Sequence, residues 1–454
     1  MKIYSSNKNY TLYQGNMLDM LEVIKPETID SIITDPPYEL NFMGKGWDNS
    51  GIAFQKETWQ KCYEVLKPGG YLLAFGGSRT FHRIAVAIED AGFEIRDTIM
   101  WLYGSGFPKS MNIGLAIDKK NGVESEVIGQ QVVPDITGDA YGTMNDKQGG
   151  SYKNIVRDVK KATNEWSGWG TALKPSFEPI IVARKPFKGS LVDNIIEYGV
   201  GGINIDECRV GNEKRTYKGC SGSSLTMISG QWKNGTSKDI EFTATGRFPA
   251  NTILTYDETD FDEVCGGFPN TKSGKNGIRQ SDGFNKNDYG KGIGIKAGMN
   301  NGEYGDSGSA SRYFYCAKAS KKDRDEGLDE FEELKVNLKT NGGDRVNDDK
   351  HIFNKTSVIR RNIHPTVKPT ELMQYLIRLV SPNGATILDP FNGSGSTGKA
   401  VMYENLERNK NYKYIGIELT DEYLPISKAR IEYVFNLEPE KDMQMTIFDF
   451  IEEE

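Results

Sequence analysis

The chain has 454 residues, 37% of them hydrophobic, with 56 Lys and Arg against 63 Asp and Glu and a net charge of −7. That length exceeds one ordinary hydrophobic core, so two folded units with insertions are expected. No run approaches ~20 consecutive apolar residues and the start carries no apolar export segment, so no membrane partner and a cytoplasmic location are expected.

Residues 10–13 read as a first strand, followed by Gly15-Asn16. The apolar run Ser31-Ile32-Ile33-Thr34 reads as a buried parallel strand that stops at Asp35-Pro36-Pro37-Tyr38. Each proline lacks an N–H and fixes φ, so the strand cannot continue. A carboxylate, a proline carbonyl and an aromatic ring therefore meet at the carboxyl edge of a sheet, where open α/β folds bind ligands. Together the two oxygens can accept both hydrogens of an exocyclic amine, and the tyrosine face can stack on a flat heterocycle. A lone Asp-Pro most often just caps a turn; the four residues together describe a site for an amino-bearing base.

A helix over 54–66, a strand over 71–75, a helix over 80–91 and a strand over 180–183 continue the α/β alternation. Between them, residues 120–170 form a polar insertion. It carries Trp166-Ser167-Gly168-Trp169, which suits either a loop near the bound base or an aromatic anchor for the insertion. From 186 to 355 the pattern shifts to Gly, Asn, Lys and Ser, with 12 glycines in residues 266–310, too many for continuous helix or strand. The five cysteines (Cys62, Cys208, Cys220, Cys265 and Cys316) are scattered and histidines number three, which points to free thiols and no metal centre.

The α/β pattern returns over 356–437, with a helix over 370–380 and a strand over 386–388 entering Asp389-Pro390-Phe391-Asn392-Gly393-Ser394-Gly395-Ser396-Thr397-Gly398-Lys399. Glycines let a backbone approach a ligand, and the helix that follows offers free N–H groups. A further strand, 414–417, ends in Glu418 at the offset where an acid commonly holds a ribose diol. The spacing Gly393 to Gly398-Lys399 also fits a P-loop nucleotide site, but Ala400 stands where a magnesium-ligating hydroxyl belongs. The chain closes with a helix over 421–435 and an acidic tail; residues 401–454 hold 13 acids and 6 bases, leaving the rest neutral. A neutral body can still present a local basic groove to nucleic acid.

The order of these motifs, with His364-Pro365-Thr366-Val367-Lys368-Pro369 just ahead of the glycine loop, resembles the β-type amino-group DNA methyltransferases, most of all phage and prophage members. The likeness extends to Leu66-Lys-Pro-Gly-Gly70, Trp101-Leu-Tyr-Gly-Ser-Gly-Phe-Pro-Lys109, Lys174-Pro-Ser-Phe-Glu-Pro179 and Arg312-Tyr-Phe-Tyr315. It implies a Rossmann-like, circularly permuted α/β sheet that uses S-adenosylmethionine. Within it, Asp35, Pro36, Pro37 and Tyr38 are the implied catalytic residues. The implied cofactor residues are Asn16, His364, Lys368, Pro369, Asp389, Pro390, Phe391, Gly393, Ser394, Gly395, Thr397 and Glu418. Relatives usually carry Gly-Asp where this chain has Gly15-Asn16, so Asn16 would bring an acceptor without charge.

The resemblance implies residues 1–185 as the catalytic half, 186–355 as an inserted target-recognition region, 356–437 as the cofactor half and 438–454 as a tail. It implies double-stranded DNA as partner, a restriction-modification or phage setting, and a monomer or homodimer. Adenine N6 is preferred over cytosine N4, because Asp at position 35 is commoner in adenine enzymes and Ser or Thr in cytosine ones. An idle DNA-binding protein on the same fold is a further alternative. In the tail, Gln444-Met445-Thr446-Ile447-Phe448 matches the short peptide that docks on a sliding clamp, with two apolar anchors for a groove.

Overall fold

The computed structural model describes residues 2–40, 48, 50–103, 110–134, 154–221, 226–228, 231–233, 238–256, 270–272, 307–310, 314–318, 321–338 and 356–437. The proposed clamp peptide, residues 104–109, and Arg312 and Tyr313 lie outside them.

Ten strands form one central sheet: Lys2–Ser6 (β1), Tyr10–Gln14 (β2), Ile29–Thr34 (β3), Leu66–Phe75 (β4), Glu94–Tyr103 (β5), Phe177–Arg184 (β6), Thr252–Tyr256 (β7), Tyr315–Lys318 (β8), Thr386–Asp389 (β9) and Lys413–Glu418 (β10). Their order across the sheet is β1-β2-β10-β9-β3-β4-β6-β5-β7-β8. β2 through β4 run parallel, as do β5, β7 and β8; β6 runs against both neighbours and β1 against β2. The two ends of the chain thus share one sheet, with β9 and β10 inserted between β3 and β2. This is the permuted α/β arrangement expected from the motif order.

Nine helices are described: Met17–Leu21 (α1), Lys56–Val65 (α2), Phe81–Asp90 (α3), Ile113–Asn121 (α4), Leu191–Tyr198 (α5), Lys321–Asp325 (α6), Thr370–Val380 (α7), Ser396–Arg408 (α8) and Leu424–Phe435 (α9). None is long and apolar enough to cross a membrane. Alternation along the strands divides the core in two. Ile33, Leu73 and Ile387 pack with α7, α8 and α9, whereas Ile32, Leu72 and Leu388 pack with α1, α2 and α3. Both faces are covered, which is why β3 and β4 read as unbroken apolar runs.

The interval 186–355 is not separate from the sheet. β7 and β8 extend its far edge, and the Tyr315 ring stacks on Tyr375 of α7 with centroids 4.0 Å apart. Among the described side chains, β7 buries only Ile253 and Leu254 of its apolar ones, a short signal in a stretch of mixed composition. Within the polar insertion, Glu126–Pro134 and Asn154–Lys161 pair as an antiparallel hairpin.

Lys399, the residue of the P-loop spacing, lies on α8 with its side chain fully buried. Its Nζ is 2.6 Å from Asp323 and 2.7 Å from Glu326, where it ties α6 to α8. It binds no loop that could cradle a phosphate, so the spacing is a coincidence of glycines.

Helix α7 is tied to α8 by a second buried pair. Arg378 donates to Glu404 at 2.5 and 3.3 Å, and the Glu404 side chain is fully buried. Removing the carboxylate strands the guanidinium in a dry interface. Glu404→Ala is expected to lower stability by about 3–5 kcal/mol, read as a lower urea midpoint. Lys428→Ala, which breaks the exposed pair with Glu432 at 3.8 Å, is expected to cost less than about 1 kcal/mol.

Candidate active site

One cavity of about 630 Å³ opens at the carboxyl ends of β3, β9 and β10, and the sequence-predicted tetrad and glycine loop both line it. Two parallel strands, β9 and β3, bring them together. Thr34 Oγ1 donates to Asp389 Oδ1 at 2.7 Å, so the last residue of β3 grips the last residue of β9. β6 runs the other way, so its amino end reaches the same edge and delivers Glu178 to the cavity.

Asp35, Glu178 and Lys368 form a cluster in which the lysine is buried and the two carboxylates are part-buried. Lys368 Nζ donates to Asp35 Oδ2 at 2.6 Å and stands 3.4 Å from Glu178 Oε2. The ammonium is also ringed by Phe75, Tyr38 and Trp101, with centroids 5.0, 5.3 and 5.8 Å away, in the geometry of cation–π contacts. Tyr38 Oη donates to Glu178 Oε2 at 2.7 Å, and Thr80 holds the Tyr38 carbonyl at 2.8 Å. Asp35 Oδ1, by contrast, is buried with no hydrogen-bond partner among the described residues. A buried acceptor left unpaired is costly and marks a place where a ligand donor belongs.

Burial pushes the Asp35 carboxyl above its ordinary value; Lys368 opposes the shift and Glu178 adds to it. Burial also works against the Lys368 charge, but Asp35 and Glu178 outweigh it and hold the ammonium above its usual range. Tyr38 is pushed well up by burial and by the two carboxylates, so it keeps its proton.

The glycine loop is braced from below. Asp389 Oδ2 accepts from Thr397 Oγ1 at 2.6 Å and its Oδ1 from the Phe391 N–H at 3.1 Å; burial raises its pKa to about 6. Ser394 offers its carbonyl and Oγ to Arg430 at 2.9 and 3.1 Å. Glu418 accepts from the Gly393 N–H at 2.7 Å and the Thr420 N–H at 2.8 Å, and burial lifts its pKa to about 7. Gly393 needs to be glycine twice over: its φ is +52°, and a Cβ there would meet His364 Nε2 at 2.9 Å. His364 donates from Nδ1 to the Thr366 carbonyl at 2.8 Å and packs edge-on against Tyr423; burial drops its pKa to about 3, so the ring is neutral.

Of the residues implied by sequence, Pro36, Pro37, Pro390 and Phe391 also line the cavity, as do Asn16, Lys368, Thr397 and Ser394. Pro369 and Gly395 do not line it: Pro369 caps α7 and Gly395, in the left-handed region at φ +76°, caps α8. Asn16 Oδ1 is engaged by the Leu18 N–H at 3.0 Å as the cap of α1. Lys368 faces the tetrad and holds Asp35. Sequence alone gives Glu178 no role of its own within residues 174–179; an acid at the start of a buried strand is its signal, and the strand's direction is what the sequence does not reveal.

These groups fit an adenosyl sulfonium ligand. Glu418 offers a raised carboxyl, Phe391 an aromatic face, and the five carboxyl groups of the wall (Asp35, Asp48, Glu178, Asp389, Glu418) outnumber its two cations, Lys368 and Arg324.

Among known proteins, Type II methyltransferase M.HindIII of Haemophilus influenzae is 26% identical over 152 residues, 33% of this chain and 37% of its own length. Type II methyltransferase M2.LlaDCHI of Lactococcus lactis subsp. cremoris is 25% identical over 240 residues, 44% of this chain and 82% of its own. The chain thus matches little more than a third of the first relative's length. Among solved structures, the PvuII DNA methyltransferase, described as cytosine-N4-specific, aligns over 94% of this chain and 90% of its own with 12% identity and a TM-score of 0.38. The sequence profile of the N6/N4 DNA methylase family matches residues 29–429, from the start of β3 through the glycine loop and Glu418 into α9, and the chain belongs to that family.

Proposed function

We propose that the chain transfers a methyl group from S-adenosylmethionine to the exocyclic amine of a base in double-stranded DNA, adenine N6 in preference to cytosine N4. The observation that carries this reading is the unpaired, buried Asp35 Oδ1 in the same cavity as the glycine loop and Glu418. The bound cofactor supplies an electrophilic methyl group on a cationic sulfur.

An amine on a heteroaromatic ring is a poor nucleophile because its lone pair is delocalised. Asp35 Oδ1 and the Pro36 carbonyl would accept its two N–H bonds, favouring a pyramidal nitrogen with its lone pair aimed across the cavity. This is orientation and electrostatic preorganisation, without a covalent enzyme intermediate. Tyr38, its hydroxyl pinned by Glu178, offers its ring for stacking. The target amine is out of reach inside a duplex, so the nucleotide must be flipped out, at a few kcal/mol of unstacking. Glu418 would take the ribose hydroxyls, Phe391 and Asn16 would flank the cofactor's adenine, and residues 186–355 would carry the base-reading side chains. The preference for adenine rests on aspartate at position 35.

Asp35→Ala is expected to lower turnover on DNA by about 10²-fold or more, with cofactor binding by calorimetry retained; wild-type turnover in this variant refutes the mechanism. Mass spectrometry of nucleosides from the methylated DNA reads the base directly, and N4-methylcytosine would overturn the adenine preference. In the free protein Glu418 is half protonated near pH 7, and two ribose donors favour its ionised form. Cofactor affinity is therefore expected to rise as pH climbs through 7 and level off above. Glu418→Gln should bind about tenfold or more weakly and lose that rise; identical pH curves for the two proteins would remove Glu418 from the ribose.

A further inference from the structure

Methylating an amine leaves a proton to dispose of, and the cavity holds an arrangement suited to it. The Asp35 carboxylate does not stand alone: Lys368 covers one of its oxygens at 2.6 Å, and Glu178 stands 3.4 Å from the same ammonium. Glu178 is in turn fixed by Tyr38 Oη at 2.7 Å and Tyr103 Oη at 3.4 Å, and its backbone pairs with Trp101 in the sheet. With both carboxylates ionised and Lys368 charged, the cluster carries one net negative charge at the cavity wall.

We propose that Glu178 is a positioning residue for the transfer: by sharing the Lys368 ammonium it leaves Asp35 one open oxygen and the capacity to take the proton the amine sheds. The inference rests on the methyl-transfer reading given above. In the step itself, the amine lone pair forms the N–C bond, and the C–S bond breaks with its electron pair staying on sulfur. The nitrogen, now cationic, gives one proton to Asp35 Oδ1. The cluster passes from one negative charge to neutral, and Lys368 keeps its proton throughout. Without Glu178, the whole ammonium charge would fall on Asp35 and make it a poorer proton acceptor. Without Lys368, two carboxylates would face each other with no cation between them.

The neighbouring titratable groups leave this pair as the discriminating one. Tyr38 and Tyr103 are pushed up by burial and stay protonated, and His364 stays neutral. Arg324, which donates to the His364 carbonyl, remains charged, its pKa lowered only to about 10. Asp389, with a pKa of about 6, and Glu418, with one of about 7, are common to every variant, so only a difference between variants is read.

The test is the pH dependence of single-turnover methylation of duplex DNA by the full chain, for wild type, Glu178→Gln and Lys368→Met. The acid limb reports the carboxyl that must be ionised. Glu178→Gln removes the charge that raises Asp35, so its limb should move to lower pH by on the order of one unit. Lys368→Met removes the charge that lowers Asp35, so its limb should move a similar distance to higher pH. Both should lose about tenfold or more in rate while still binding cofactor by calorimetry. Glu178→Gln keeps the side chain's shape and decides alone if the lysine variant does not fold. A rate loss with the Glu178→Gln limb unmoved, or moved upward, overturns the proposal and leaves the methyl-transfer reading standing. Absence of any methylated DNA amine with the wild-type chain overturns both.

Discussion

An ammonium buried against two carboxylates persists only where its surroundings hold all three groups in place, because each loses several kcal/mol of hydration on leaving water. Here the three come from distant parts of the chain. Asp35 follows β3, Glu178 opens β6 and Lys368 precedes α7, so no local structure could keep them together. The sheet fixes the first two, and Asp323 fixes the third by accepting from the Thr370 N–H at 2.8 Å and its hydroxyl at 2.5 Å at the start of α7. Asp323 also holds Lys399, so the brace behind the site runs from α6 through α7 to α8. Three aromatic rings stand within 6 Å of the ammonium and line the rest of its surroundings.

The electrostatics of the cavity follow from that packing. Burial lifts Asp35, Asp389 and Glu418 alike, which means that the free protein pays to keep them ionised. A cationic ligand relieves that cost: the imidazole of His364 is neutral, and the wall's two cations, Lys368 and Arg324, are outnumbered by its five carboxyl groups. The cavity is therefore biased toward a cation before any specific hydrogen bond forms.

Much of this was legible from residue order. β3 and β9 stood out as apolar runs ending in Asp-Pro, since strands covered on both faces need no alternation. The helix over 370–380 fell at its observed ends because Pro369 opens it and Ser381 closes it. What could not be read was direction and reach. Ile180-Ile181-Val182 looks alike from either end, so nothing said that β6 runs backward and places Glu178 at the ligand edge. Lys368 sits in a segment that belongs with the cofactor loop, yet its long stem carries the charge to Asp35. Asn16 lines the cavity as its place in the sequence suggested, but that its oxygen also accepts the Leu18 N–H at the start of α1 was not readable from residue order. β7 and β8 were hidden because they are short, four or five residues each, and carry no long apolar run.

The neighbours β3 and β9 are joined by a bond between residues 355 positions apart. A ribosome adding roughly 5–20 residues per second takes tens of seconds to make the second strand after the first. Throughout that interval the Ile32 and Ile33 backbone has an open ladder edge that nothing yet synthesised can close. The central sheet is therefore continuous across β3 only once β9 has been made and has closed that edge.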